Sequence, residues 1–274
     1  MISIAKAKHI APPQGIILYH GPSMIDGKKI VVIATGFKTK SKNPKTGPGC
    51  LHTWILPANQ SPIDSWTSGK DCSVCGDCKH SSPKNGGWNT CYVNVYQAPL
   101  NVWYAWKKGR YEVPTNVNLN FFRNKIVRIG SYGDPAAVDC NVWEVIASYA
   151  KGTVGYTHQH SKAFTDKNLK HYCMASCDTE SEAIRAQAKG WRTFRVRLPN
   201  EKLLENEIIC PASEEGGMKM TCSKCGLCSG IKENKDSRKN IAIIVHGRSW
   251  RCQRFCDIMK RRKNKKSYKD LITV

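Results

Sequence analysis

Apolar and polar positions along this chain alternate in short runs. Lys29, Ile30, Val31, Val32, Ile33, Ala34 and Thr35 form a β-rich run closed by Gly36, and a basic, turn-forming loop follows over 38–49. Residues 53–56 (Thr-Trp-Ile-Leu) predict another short strand. A cysteine-rich stretch spans 70–91, and a helix is expected over about 100–108. From Lys125 the pattern becomes strand, helix, strand. Residues 126–130 predict a strand. Val142, Val145, Ile146 and Tyr149 then recur at helical spacing up to Gly152, and residues 153–157 predict the next strand. Residues 172–176, 193–198 and 241–245 complete the strand set. Between the first two of these, Thr179 and Glu182 form a capping box for a helix through Ala183, Ile184 and Ala188 that stops at Gly190.

Strand–helix alternation at this spacing implies parallel strands with crossover helices. The fold expected is α/β, a full or partial (β/α) barrel with cysteine-rich metal-binding insertions. Three segments are expected: a β-rich 1–70, a metal-binding α/β domain over 71–247, and a basic C-terminal tail over 248–274. Chemistry in such folds gathers at the carboxyl ends of the strands. Those ends supply Asp134, His158, Gln159, His160, Cys177, Asp178, His246 and Arg248. Asp134, His158 and Asp178 are the catalytic candidates. Asp134, in Tyr132-Gly-Asp-Pro, also reads as a ribose ligand or a simple turn residue.

Composition sharpens this. The 274 residues are 41% hydrophobic, enough for a core, and no apolar run approaches a membrane span of about 20 residues. Residues 1–6 lack the ordered regions of a signal peptide, so a cytoplasmic protein is expected. With 43 Lys plus Arg against 21 Asp plus Glu, the formal charge is +22. The expected partner is nucleic acid, DNA or RNA, with a membrane disfavoured. Residues 248–269 carry ten cations against Asp257 alone; Arg248, Arg251, Arg254, Arg261, Arg262, Lys263, Lys265 and Lys266 are the candidate phosphate contacts. Trp103, Trp106 and the cations around them allow base stacking, but this stretch reads first as a helix with its tryptophans toward the core.

The cysteines carry the strongest signal. Cys72-Ser-Val-Cys75-Gly-Asp-Cys78 and Cys222-Ser-Lys-Cys225-Gly-Leu-Cys228 match at five of seven positions. Two-residue spacings let successive thiolates turn toward one centre. The glycine after each middle cysteine permits a tight turn and is expected to bare N–H groups toward sulfur. Cys91 lies 13 positions after Cys78, and Cys210, followed by Pro211, lies 12 before Cys222. Each would supply a fourth thiol. Three cysteines at successive x2 spacing favour an iron–sulfur cluster, 4Fe-4S, over zinc, which remains the alternative with His80 or His246 available as a fourth ligand. One shared multinuclear site remains open beside two separate ones. His158 and His160 at i, i+2 could bind a divalent ion, but Gln159 between them departs from the nuclease pattern. No Walker A, G-x-G-x-x-G, G-x-S-x-G or H-E-x-x-H motif is present.

Several of these residues together resemble a family. Cys72-x2-Cys75-x2-Cys78 with Cys91-Tyr92, Arg128-Ile-Gly-Ser-Tyr-Gly-Asp134, Gly155-Tyr-Thr157, Trp191-Arg-x-Phe-Arg-Val196 and Cys210-Pro-Ala-Ser213 before the second triplet resemble an uncharacterised family of cysteine-rich tailed-phage proteins. The resemblance spans about residues 20–247 and implies a host-cell cytoplasm. More distantly, a cysteine cluster ahead of a strand ending in Ser-x-Gly-Asp is similar to radical-SAM-like barrels, whose C-x3-C-x2-C spacing this chain does not share. The late Cys/His site and basic surface are similar to tRNA-guanine transglycosylases and their DNA-modifying relatives, whose paired-Asp motifs are not seen here. These readings lead to a metal-cluster protein that modifies or processes nucleic acid. A non-enzymatic nucleic-acid binder with structural zinc or iron–sulfur sites is the alternative.

Overall fold

The computed structural model describes residues 11–39, 43–69, 71–232 and 236–272, with side chains in the last helix as far as Lys263. Nine strands form one sheet in the order β1-β2-β3-β4-β5-β6-β7-β9-β8. Strands β1 (Gly15–Pro22), β2 (Lys29–Thr35) and β3 (Cys50–Pro57) make an antiparallel meander. Strand β4 (Ile126–Tyr132) pairs with β3 in parallel. Strands β5 (Gly152–Thr157), β6 (Met174–Cys177) and β7 (Thr193–Arg197) continue the parallel sheet. Strand β9 (Asn240–Ile244) then pairs with β7, and β8 (Glu207–Ile209) lies outside it. The fold is therefore mixed α/β on a mostly parallel sheet. Strands from the 1–70 segment belong to the same sheet as the rest.

The helices are α1 (Pro62–Ser68), α2 (Ala98–Lys107), α3 (Asn116–Leu119), α4 (Cys140–Tyr149), α5 (Glu180–Ala188), α6 (Cys222–Cys225) and α7 (Ser249–Ile272). In α4 the buried face is Cys140, Trp143 and Ile146, while Val145 is exposed, contrary to the predicted stripe. Trp143 has the largest apolar surface to hide and donates its indole N–H to Pro135 O at 3.0 Å, and this sets the helix rotation. In α5 the Thr179 hydroxyl caps Glu182 N at 3.1 Å as predicted. The Glu182 carboxylate instead accepts from Asp178 N at 2.9 Å, and Ile184 is exposed. Trp103 and Trp106 on α2 pack half-buried against the core, and Lys107 Nζ lies 5.4 and 5.1 Å from their ring centres. No helix among the described residues is long and apolar enough to cross a membrane.

Two connections carry the cysteine triplets. The β3–β4 crossover, residues 58–125, contains the first, and the β8–β9 connection, residues 210–239, contains the second. Helix α7 is docked on the protein. Phe255 and Met259 are buried with Leu198, against Trp88, Val196 and Val245.

Candidate functional site

Both triplets fold locally as their spacing implies. Gly76 (φ +57°) and Gly226 (φ +63°) take the left-handed conformation that favours glycine. A Cβ on Gly76 would also meet the Gln159 amide at 3.0 Å. The N–H groups of these two glycines are used within the turn. Each closes its turn on the carbonyl of the first cysteine, Gly76 N to Cys72 O at 2.7 Å and Gly226 N to Cys222 O at 3.1 Å. Backbone donors to sulfur come from two residues beyond a cysteine: His80 to Cys78, Val93 to Cys91 and Leu227 to Cys225. Such N–H groups favour the thiolate, the form that binds metal.

Cys75, Cys78 and Cys91 line one cavity of about 190 Å³. Burial pushes all three thiols upward, and Cys75 and Cys78 are raised further by the neighbouring cysteines. Cys72 does not line this cavity. It lies in the fields of Asp26 and Lys28, its thiol also raised by burial.

Cys210, Cys222, Cys225 and Cys228 surround a second cavity of only about 20 Å³ against Val154, Gly155 and Ile241. Cys210 follows directly on β8. Burial raises Cys222 and Cys225 and pushes Cys228 up to about 12. The Tyr156 hydroxyl lies 3.9 Å from Cys228 Sγ. Buried Cys50 is a further thiol beside Cys228, pushed up to about 11 by burial. Among the described residues, no three His, Cys, Asp or Glu side chains come close enough together to hold a single metal ion.

An arginine grips the carbonyls around each set. Arg251 of α7 donates to Cys91 O and to Val93 O. Arg192 donates to Leu227 O at 2.7 Å and Ser229 O at 2.8 Å, on either side of Cys228.

The catalytic candidates separate. Asp134 is buried and accepts from Thr157 Oγ1 at 2.6 Å, His158 N at 2.7 Å and Ala136 N at 2.9 Å. Burial pushes its pKa up to about 6 against these donors. Its oxygens tie the end of β4 to the end of β5, which answers the turn reading better than that of a free base. Asp178 is outside the 190 Å³ cavity and holds His80, whose Nε2 lies 3.0 Å from Asp178 Oδ1 and whose Nδ1 lies 2.8 Å from Thr90 Oγ1. Burial would raise the Asp178 carboxyl, but the field of His80 and its hydrogen bond outweigh this and hold it down at about 2. His158 stands edge-on to His80, ring centres 5.1 Å apart, between the 190 Å³ cavity and a polar one of about 240 Å³ lined also by Asp178, Glu182 and Arg185. Burial and the adjacent His80 push it down to about 3, so it is a neutral imidazole near pH 7.

Sequence reasoning overlooked Arg128. It lies on β4 with 9% of its surface exposed, lines both cysteine cavities, and rests on Tyr92 and Tyr156 with ring centres 6.0 and 5.6 Å away. The available signal was a guanidinium inside the apolar run 126–130.

Of the predicted phosphate contacts, Arg248, Arg254 and Arg261 are exposed on or just before α7. Arg251 is engaged by the Cys91 and Val93 carbonyls. Arg262 stacks on Trp88 at 5.3 Å, and Lys263 Nζ meets Glu201 Oε1 at 2.6 Å. Lys265 and Lys266 fall outside the described side chains. No protein-family model, curated protein or solved structure matches this chain.

Proposed function

We propose that this chain is an iron–sulfur enzyme that modifies or processes nucleic acid. One observation carries the reading. Cysteines 75, 78 and 91 line the same cavity as His80 and His158, at the carboxyl ends of parallel strands, where α/β folds do their chemistry. This cavity also supports the finer description of the fold as a partial (β/α) barrel. The choice of iron–sulfur over zinc rests on the successive x2 spacing of the cysteines in each triplet; the candidate ligands are 75, 78 and 91, with Cys72 as a fourth, in the first set and 210, 222, 225 and 228 in the second. A cluster at the first set would supply electron-transfer chemistry at the cavity wall. His158, neutral and facing the cavity, would offer a hydrogen bond to a ligand there, while Asp178 and Thr90 fix His80. The enclosed second set favours a structural role for its own centre. The chain's charge of +22 and exposed Arg248, Arg254 and Arg261 support a polyanionic partner.

The test is anaerobic purification with iron, sulfide and zinc assays and an absorption spectrum. Iron with sulfide is expected, and Cys91→Ser should lose about half of it; zinc without sulfide would overturn the cluster. For the partner, a fluorescence-anisotropy salt titration on duplex DNA and on RNA should give a steep log–log slope. Replacing Arg248, Arg254 and Arg261 by Ala should flatten it by up to about 3. Affinity indifferent to salt would overturn the nucleic-acid reading.

A further inference from the structure

The 190 Å³ cavity is electrically lopsided. Two cations line it, Arg128 and Lys45. Among the described residues neither has a carboxylate within ion-pair distance. Arg128 donates to the Tyr92 hydroxyl, and Lys45 Nζ lies 3.1 Å from His246 Nε2. The only acid on the wall, Asp134, already has three donors. The groups of opposite sign that act on the two cations include thiols, Cys222 for Arg128 and Cys210, Cys222 and Cys228 for Lys45; with no carboxylate beside it a buried guanidinium is costly to desolvate, and this end of the cavity suits a negative group. Beside it the walls are rings. Arg128 sits over Tyr92 and Tyr156, and Tyr156 meets Phe194 with centres 4.2 Å apart. Aromatic faces beside a cation suit a planar, π-rich ligand.

We propose that the 190 Å³ cavity binds one nucleotide unit, its phosphate on Arg128 and Lys45 and its base against the Tyr156–Phe194 wall. This rests on the nucleic-acid reading above and names what enters the site. A nucleotide held within a duplex would have to leave its stack to reach the cavity, at the unstacking cost that base-flipping enzymes meet. Asn43 and Lys45, from the loop between β2 and β3, both line the cavity.

The experiment is calorimetric titration of the full-length, anaerobically purified chain with the four 2′-deoxynucleoside 5′-monophosphates and the matching nucleosides. At least one monophosphate should bind about ten-fold or more tighter than its nucleoside, as expected for a charge-assisted contact. Arg128→Met should remove most of that advantage, and Lys45→Met a smaller part, with iron and sulfide content unchanged. Should Arg128→Met fail to fold, Arg128→Lys keeps the charge but not the forked donor, and Lys45→Met tests the rim. Equal binding of nucleotide and nucleoside overturns the proposal. So does no binding by any monophosphate, or an Arg128 variant that loses iron while retaining nucleotide affinity, which would mean that the guanidinium serves the thiolates of the second set. Nucleotide binding without iron would leave this proposal standing and remove the cluster, whereas iron without nucleotide binding would do the reverse.

Discussion

The two cysteine triplets are nearly the same heptapeptide in opposite surroundings. The first lies in the β3–β4 crossover beside the 190 Å³ cavity, which His80 and His158 also line and its leading cysteine does not. The second lies in the β8–β9 connection and closes with Cys210 around a 20 Å³ void on the sheet. Each is anchored by a buried carboxylate with a different partner. His80–Asp178 fixes the segment just after Cys78. Arg195–Glu207, with 2% and 0% of the side chains exposed, fixes β8, from which Cys210 hangs. A nearly identical local motif thus lies beside a roomy cavity in one place and around a small void in the other, because what the turn faces is set by the strands around it.

Three experiments break or sharpen this contrast. The largest effect is expected from Cys210→Ser, which removes the buried thiol of the second set. Losing that centre should cost above about 4 kcal/mol of unfolding free energy, while Cys75→Ser, facing the cavity, should lose its own metal at a smaller cost. Urea unfolding with metal analysis compares them, and equal costs would erase the contrast.

Next is Glu207→Gln. Arg195 Nε and Nη2 donate to Glu207 at 2.8 and 2.6 Å, so neutralising the acid leaves a buried guanidinium with only the more distant Glu201, 3.6 Å from its Nη1, as a counter-charge. The expected cost is about 3–5 kcal/mol, with metal lost from the second set only. A loss below about 1 kcal/mol, or metal lost equally from both sets, would show that this pair does not hold the second site.

The smallest effect concerns the first set and appears in pH. The Asp178 carboxyl is depressed to about 2 in the fold, against an ordinary 3.8. Its contribution, about 2 kcal/mol, is present above pH about 4 and disappears as pH falls through about 2. Asp178→Asn should flatten the stability profile across that window and leave the second set's metal in place. An unchanged slope in the variant would remove Asp178 as the anchor.

Much of this was legible locally. The glycines after Cys75 and Cys225 announced left-handed turns, Thr179 announced the start of α5, and the run 126–130 announced β4. Each of those features depends on φ, ψ and hydrogen bonds within a few residues. Val145 and Ile184 misled, because periodicity gives a helix's stripe but not its rotation, which in α4 follows the burial of Trp143. The basic stretch 248–269 looked like a tail; Phe255 and Met259, apolar among cations, were the sign that it docks, yet their partners Leu198 and Val196 lie far off in the chain.

By itself, the sequence determined the α/β alternation, the duplicated thiol motif and the excess of positive charge, since these depend on residue order and composition alone. Only the tertiary structure decided that Cys91 joins Cys75 and Cys78 on a cavity wall. It likewise decided that His80 meets Asp178 across 98 residues, and that Arg128 stands between the two cysteine sets. Those meetings depend on which strands pair and which face each crossover covers. That choice is made by burying apolar surface over the whole sheet, and no short stretch of the chain contains it.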